Sequence, residues 1–239
     1  EIMKPFSFFR KRKIQSLVRY LKEKDSIYFM DYENYLTTEK LLQVEISDKL
    51  ILPLFMKQNN QIIKNQSISN LSVAYIGRLV DFKVFPLIHL LERLNRILIT
   101  KIDFHIVGEG NFKNNLLEKS VELEKINLIF HGTIDLNESS EIFNEINLGV
   151  GMGLSALEFA SRGIPTILLD YSYQPIRKVY KFNFIFESIG YNLARDINLN
   201  MLYEEKCTLK NTLNILEQDY NSLSALTNKW FVENFSPSL

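Results

Sequence analysis

The sequence predicts an α/β protein built on a parallel sheet with helices packed against it. From Leu71 onward, short β-rich runs alternate with segments whose apolar residues recur at helical spacing, which is typical of such a sheet. Several of the β-rich runs end at glycine, so backbone rather than side chains forms the carboxyl edge of the sheet. Ligands bind at that edge in open α/β sheets, and we expect the ligand site there.

The predicted elements follow one another along the chain. The β-rich runs predict strands at 71–76, 104–107, 128–130, 148–150 and 166–169. Helical spacing predicts helices around 87–98, from beyond residue 108 to about 124, at 138–146 and at 154–161. Gly163-Ile164-Pro165 ends the last of these helices. The tail at 209–231 is predicted as one or two amphipathic helices.

Residues 1–70 differ in composition from the rest of the chain. They contain a basic, aromatic-rich opening, strand-like runs at 26–30 and 49–54, and a polar stretch at 57–70 that is typical of a linker. We therefore predict a division into residues 1–70 and residues 71–239. Because the first residue is Glu1 rather than Met, we expect the chain to be a fragment of a longer protein.

Composition excludes several classes of protein. Apolar residues make up 46% of the 239 positions and charged residues 23%, as in ordinary globular proteins, and the net charge of zero argues against a nucleic-acid partner. Cys207 is the only cysteine, which excludes an internal disulfide and fits a reducing cytosol. No apolar run approaches the roughly 20 residues that span a bilayer, and no signal peptide is present. We expect a cytoplasmic protein.

The basic opening leaves two interpretations. Residues 4–24 mix aromatic side chains with clustered cations, and such a segment can lie on an anionic membrane surface, which would place the protein on the inner face of the membrane. A solvated helix face explains the same pattern equally well.

Two stretches are candidates for binding an anion. In the first, Gly77 ends a strand, and Arg78 and Lys83 place two cations at the start of the next helix. Glycine permits close approach to the backbone, and a guanidinium and an ammonium beside a helix N-terminus suit a diphosphate. Taken alone, two basic residues after a strand are more often a solvated face.

The second stretch is glycine-rich and runs from a strand directly into a helix. The amides of Gly153, Leu154 and Ser155 open that helix and can face an anion, while Glu158, about one turn later, can accept hydrogen bonds from ribose hydroxyls. The stretch matches neither the Gly-x-Gly-x-x-Gly fingerprint nor a P-loop. A tight turn with Glu158 as a favourable first-turn acid is the alternative.

The three histidines do not have the spacing of a metal site. His131, at a strand end, can approach a nucleotide. His105 lies within an apolar strand and His89 on a helix, and both are interpreted as packing or surface residues.

Five motifs in order resemble family four of the retaining glycosyltransferases over roughly residues 72–170. They are Gly-Arg-Leu-x-x-x-Lys at 77–83, Val-Gly-Glu-Gly at 107–110, Phe-His-Gly at 130–132, the glycine loop with Glu158, and Gly-Ile-Pro at 163–165. The resemblance implies a GT-B fold. Residues 71–239 would be its Rossmann-like, nucleotide-sugar-binding lobe, and residues 1–70 a partial acceptor-side lobe with a linker.

The resemblance also assigns roles to residues. The family holds the donor diphosphate with residues matching Arg78 and Lys83, helped by loop amides matching 153–155. It binds the ribose with the glutamate matching Glu158, and its Val-Gly-Glu-Gly turn, with Gly108 here, lies near the nucleotide.

One position departs from the family. A second glutamate that contacts the donor sugar usually stands eight positions before the one matching Glu158, and Val150 occupies that position here. Valine cannot accept a hydrogen bond, so the sugar contact must differ or be lost. Related surface-polysaccharide enzymes also tolerate a non-acidic residue there.

The resemblance implies transfer of a hexosyl group from a nucleoside-diphosphate sugar to a glycan or lipid-linked glycan in surface polysaccharide biosynthesis. The cations would replace a metal, so we expect no metal or other cofactor, and the leaving phosphate would receive the acceptor proton. We expect the isolated chain to bind a nucleoside diphosphate without transferring sugar. Two alternatives stay open: a non-catalytic nucleotide- or protein-binding partner subunit, favoured by Val150, and a GT-B nucleotide-sugar epimerase, whose acid and base residues the sequence does not clearly offer.

Overall fold

The computed structural model describes residues 8–46, 51–59, 71–135, 140–176, 181–197 and 209–237. The chain divides into two compact units, one of residues 1–55 with 189–192 and the other of residues 56–188 with 193–239. This boundary precedes the predicted linker at 57–70. Residues 60–70 of that linker, Cys207 and the start of the basic opening lie outside the described residues. The assignment of residues 1–70 to a partial acceptor-side lobe stays a prediction.

The first unit contains two helices, α1 (Phe8–Glu23) and α2 (Tyr32–Leu42). The strands predicted at 26–30 and 49–54 are replaced, within the described residues, by one parallel bridge between Phe29 and Ile51. The Asp31 side chain accepts a hydrogen bond from the Asn34 amide at 2.7 Å, and this cap starts a helix directly after the first run. The unit's small core comprises Val18, Tyr35, Leu42, Val44 and Ile46.

A six-stranded sheet forms the centre of the second unit and confirms the predicted fold class. Its strands are β1 (Ser72–Ile76), β2 (Ile102–Val107), β3 (Ile126–Gly132), β4 (Leu148–Gly151), β5 (Thr166–Leu168) and β6 (Asn183–Phe184). Their spatial order is β3-β2-β1-β4-β5-β6. The first five strands are parallel, and β6, which the sequence did not predict, runs antiparallel to β5 at the edge.

Helices cover both faces of this sheet. They are α3 (Asp81–Ile97), α4 (Lys113–Ser120), α5 (Ser140–Glu145), α6 (Leu154–Ala160), α7 (Leu209–Gln218) and α8 (Tyr220–Phe235). Successive β1 residues point to opposite faces, so Tyr75 packs in the same apolar cluster as the leucines of α3, whereas Ile76 packs in a second cluster with Phe143 of α5 and Phe159 of α6. Therefore α3 and α6 lie on opposite faces. The predicted tail forms two helices, separated by Asp219, whose side chain caps α8.

Val150 is a core residue of β4. Its side chain is 0% exposed and packs in the same cluster as Tyr75 and Ile167, which lie beside it on the neighbouring strands. The sequence interpretation placed this position where a carboxylate would face the donor sugar. The structure instead directs the side chain into the packed interior. β4 is a central strand of the sheet, and its side chains are buried in the core.

Candidate functional site

The two glycine-containing stretches leave the sheet side by side. In the sheet, β2 and β3 lie to one side of β1, and β4 and β5 lie to the other, so the strand order reverses between β1 and β4. The register pairs Tyr75 with Val150, which brings the segments after β1 and β4 to one place at the carboxyl edge. Ligands of open α/β sheets bind at such a reversal point. We take this place as the candidate site.

Backbone hydrogen bonds connect the ends of β1, β2 and β3 at the carboxyl edge of the sheet. The Gly77 amide donates to the Val107 carbonyl at 2.9 Å, and the Gly108 amide donates to the Gly132 carbonyl at 2.7 Å. Gly108 has a φ of +140°, and a Cβ there would lie 2.0 Å from the Gly77 carbonyl oxygen. Only glycine permits this approach. The edge is thus a surface of backbone, as its glycines predict.

Arg78 and Lys83 form a cationic pair at the start of α3. Arg78 is exposed and Lys83 is half-buried in the first helical turn. Burial, and then the charge of Arg78, lowers the pKa of Lys83 below its ordinary value. Neither side chain forms an ion pair with any of the residues described by the structure. A bound anion would relieve the repulsion between them, and the N-terminus of α3 adds a favourable dipole.

The glycine loop after β4 differs from its prediction at one amide. The Gly153 amide donates to the Leu193 carbonyl at 2.9 Å, so it is not available to an anion. Over the part of the chain that the structure covers, the Leu154 and Ser155 amides have no acceptor, and the Ser155 hydroxyl donates to the Met152 carbonyl at 2.9 Å. Two of the three predicted amides therefore remain candidates for contacting a ligand.

Glu158 lies on α6 and is paired with a buried arginine. Its Oε1 accepts a hydrogen bond from Arg162 one turn later, and the Arg162 guanidinium carbon lies 4.0 Å from the centroid of the Phe143 ring. Asn59 donates to the Ser161 hydroxyl at 2.9 Å and lies 3.4 Å from the same carboxylate oxygen. Glu158 Oε2 has no partner among the described residues. The carboxylate is thus held through one oxygen, which leaves the other for a ligand.

The pairing of Glu158 with Arg162 was not predicted from the sequence. A Glu-x-x-x-Arg spacing was available as a signal, but the same spacing is common on solvated helices. Burial of Arg162 against an aromatic ring distinguishes the two cases, and that is visible only in the structure.

His131 is the extra residue of a β-bulge. The register passes from Ile106–Phe130 to Val107–Gly132, which leaves His131 unpaired in the ladder. Its Nε2 lies 2.9 Å from Nδ1 of His105, with ring planes 17° apart. Burial, and then His131, lowers the pKa of His105. The structure therefore places His131 against a second histidine, with its ring exposed at the β3 edge.

The described residues contain neither a metal-binding cluster nor a membrane-spanning helix. Across the described ranges, no cluster of three or more histidine, cysteine, aspartate or glutamate side chains is arranged to hold a metal ion. Within those same ranges, no helix has both the length and the apolar character needed to cross a membrane.

Comparison with known proteins identifies the fold. No protein-family model and no curated protein matches the chain. A TarM variant from S. aureus, solved with fondaparinux, alpha-GlcNAc-glycerol and UDP, matches with a TM-score of 0.58 and 19% identity over 98% of this chain and 46% of TarM. HepE from Anabaena, solved with UDP and glucose, matches with a TM-score of 0.58 and 12% identity over 99% of this chain and 66% of HepE. The chain spans less than half of TarM, and it has the fold of GT-B glycosyltransferases.

Proposed function

We propose that this chain is the donor-binding part of a retaining glycosyltransferase that takes a hexosyl group from a nucleoside-diphosphate sugar. The observation that carries the proposal is the cationic pair of Arg78 and Lys83 beside the reversal of strand order. Two adjacent cations that have no carboxylate partner among the described residues suit a ligand with two linked anionic groups. A diphosphate has that chemistry.

The proposed reaction exchanges one bond at the anomeric carbon for another. The bond from that carbon to the diphosphate oxygen breaks, an acceptor hydroxyl oxygen bonds to the carbon, and the departing phosphate takes the hydroxyl proton. Negative charge grows on the diphosphate as it leaves. Arg78, Lys83 and the N-terminus of α3 stabilise this charge, which is the role a metal fills in other transferases. We therefore propose a reaction without a metal or a general base from this part of the chain.

The nucleoside is proposed to lie on the α6 side of the diphosphate. Glu158 Oε2 would accept a hydrogen bond from a ribose hydroxyl, since Arg162 holds the other oxygen. The backbone edge at Gly77 and Gly108 and the exposed ring of His131 would lie near the nucleotide. UDP is the nucleotide in the TarM and HepE structures, and it is the first to test.

The acceptor is proposed to be a glycan or lipid-linked glycan in surface polysaccharide biosynthesis, reached from an anionic membrane surface by a cytoplasmic protein. Helix α1 supports this proposal. Lys11 donates to the Gln43 side chain and Lys22 to the Glu45 carbonyl, so these cations fix the helix to its own unit. Leu17 and Tyr20 are more than half exposed on the opposite side. An apolar strip bordered by basic residues suits anionic lipid headgroups.

The cationic pair provides the direct test. Replacing Arg78 or Lys83 with Ala is expected to weaken UDP binding by about 1.5–3 kcal/mol, the usual range for hydrogen bonds to charged groups. Uridine, which lacks the phosphates, should lose much less. Isothermal titration calorimetry with both ligands measures the difference.

Lys229→Ala serves as the control, because Lys229 is exposed and pairs with Glu233 on α8. Equal losses for uridine and UDP in the Arg78 and Lys83 variants would assign these cations a structural role. An unchanged affinity for UDP would contradict the proposed site.

A second candidate is a nucleotide-binding subunit that transfers no sugar. The identity of residue 150 favours it, because a valine stands at the position where the family has its second glutamate. Donor hydrolysis and sugar transfer, measured with the complete protein, separate the candidates. Nucleotide binding without either activity would establish the subunit.

A further inference from the structure

A proline inside α3 leaves one helical carbonyl for another segment. Pro86 has no amide hydrogen, so the carbonyl of Phe82, one turn earlier, receives no helical hydrogen bond from it. The amide of Ser172 donates to this carbonyl at 3.0 Å. Ser172 is buried and belongs to the segment that follows β5. This hydrogen bond therefore connects the first turn of α3, which carries Lys83, to the segment after β5.

Three aromatic rings make the same connection through side chains. The Phe82 ring lies 6.4 Å from that of Tyr171 and 5.5 Å from that of Tyr173, and the two tyrosine rings are 6.2 Å apart. Lys83 Nζ lies 6.0 Å from the Phe82 ring centroid. Phe82 and Tyr171 are partly buried, while Tyr173 is 37% exposed. We call these three rings the aromatic wall, and Tyr173 is its exposed end.

The segment that carries the wall is also fixed on its other side. Tyr171 donates through its amide to the Arg195 carbonyl at 2.9 Å and accepts from the Ile197 amide at 3.1 Å. The buried Asp170 carboxylate accepts from the Arg195 amide at 2.7 Å. Backbone hydrogen bonds on both sides hold this segment in place, and Tyr173 follows directly after it.

The wall and Glu158 lie on opposite faces of the sheet. Phe82 and Tyr171 pack against the cluster that contains the α3 leucines, whereas α6, which carries Glu158, packs through Phe159 in the second cluster. The cationic pair stands at the carboxyl edge between the two faces. A nucleoside-diphosphate sugar has its nucleoside and its sugar on opposite sides of the diphosphate. If the ribose is at Glu158, the sugar is at the wall.

We propose that the aromatic wall is the donor-sugar subsite, that Tyr173 contacts the apolar face of the sugar ring, and that Pro86 is a positioning residue that holds the wall beside Lys83. This inference rests on the proposed function. An aromatic ring offers a flat apolar surface with little conformational freedom to lose, and a pyranose presents C–H groups on one face. The wall thus offers the sugar a contact that the buried Val150 does not offer.

The test compares ligands that differ only in the sugar. Calorimetry with UDP, ADP and GDP first identifies the nucleotide that the wild-type chain binds, and the same nucleotide carrying glucose, galactose or N-acetylglucosamine follows. Tyr173→Ala is expected to weaken binding of the best sugar nucleotide about tenfold and to change nucleoside-diphosphate affinity less than twofold. Tyr173→Phe should retain most of the affinity, because the ring is kept. Tyr28→Ala, an exposed tyrosine of the first unit, is the matched control and should change neither.

Pro86→Ala tests the positioning role. Alanine is a better helix former than proline and restores an amide that competes for the Phe82 carbonyl. The melting temperature is expected to stay the same or rise, while hydrogen exchange at the Ser172 amide accelerates and sugar-nucleotide affinity falls several-fold. A purely structural proline would instead change stability and leave the affinity ratio between nucleotide and sugar nucleotide constant.

The outcomes separate the two proposals. Equal weakening of nucleotide and sugar nucleotide in Tyr173→Ala, or no weakening of either in a folded variant, overturns the sugar subsite and leaves the proposed function standing. Failure of the wild-type chain to bind UDP, ADP or GDP overturns the proposed function, and the subsite with it.

Discussion

Lys83 differs from other lysines of the second unit in the charge of its neighbour. Several lysines pair with glutamates, namely Lys113, Lys119, Lys181 and Lys229. Lys83 instead has Arg78 beside it, and the charge of Arg78 adds to burial in lowering the pKa of Lys83. Sequence reasoning identified both cations because they follow a strand that ends in glycine. It did not find Arg162, since the sequence contains no signal for its burial against Phe143.

The substitution Glu158→Gln tests the proposed contact between this single residue and the ribose. The amide keeps the shape and can still bond a hydroxyl, but it loses the charge-assisted hydrogen bond. UDP binding is expected to weaken about tenfold, near 1.4 kcal/mol, with the chain still folded. Calorimetry gives the affinity, and circular dichroism monitors folding.

Glu233→Gln is a suitable control because Glu233 lies on α8 and is exposed. If Glu158→Gln keeps full affinity and only lowers the melting temperature, the Glu158–Arg162 pair has a structural role alone.

At the scale of elements, the strands of the parallel sheet were predictable and the antiparallel edge strand β6 was not. A parallel strand is buried on both faces, so its sequence is a short apolar run, and glycine marks its end. The two-residue β6 is too short to show any period. Helix α2 was missed because its polar and aromatic composition resembles a loop, although Asp31 and Asn34 supply a cap. The glycine loop was located correctly, but the partner of the Gly153 amide comes from residue 193, far along the chain.

Val150→Glu is a prediction about β4. The new carboxylate would enter a core position between Tyr75 and Ile167, where the cluster formed by described residues is hydrophobic. We expect unfolding free energy to fall by about 3–5 kcal/mol, the scale of an uncompensated buried charge. Urea denaturation measures this change.

Val150→Ala, which removes volume without adding charge, should cost clearly less. An unchanged stability combined with an altered preference among sugar donors would return Val150 to the sugar site, as the family resemblance first implied.

At the scale of the whole molecule, charge is balanced overall but concentrated locally. The net charge is zero, yet Arg10, Lys13 and Arg19 are all exposed on α1, as are Leu17 and Tyr20. The composition describes only the charge of the whole molecule and does not show where charges concentrate locally. Lys11 and Lys22 bond to residues of their own unit, which the sequence does not show.

Vesicle binding tests the proposed membrane surface. Sedimentation with vesicles of phosphatidylglycerol and phosphatidylcholine is expected to capture the chain, and vesicles of phosphatidylcholine alone should not. Replacing both Leu17 and Tyr20 with Glu should reduce capture at least tenfold, because it removes the apolar strip and adds repulsion. Equal capture by both vesicle types, or by the double variant, would leave α1 as a solvated face.

The pairing of β1 with β4 has a consequence for folding. Tyr75 and Val150 are more than twice as far apart in the sequence as Tyr75 and Ile106, which pair in the β1–β2 ladder. Closing the longer loop costs more entropy, so β1, β2 and β3 can associate before β4 joins them. The proposed nucleotide site lies between the segments after β1 and β4, so it forms only after β4 has joined the sheet. During refolding, binding of nucleotide should therefore appear after most of the sheet has formed, and a bound nucleotide should slow the detachment of β4 as the chain unfolds.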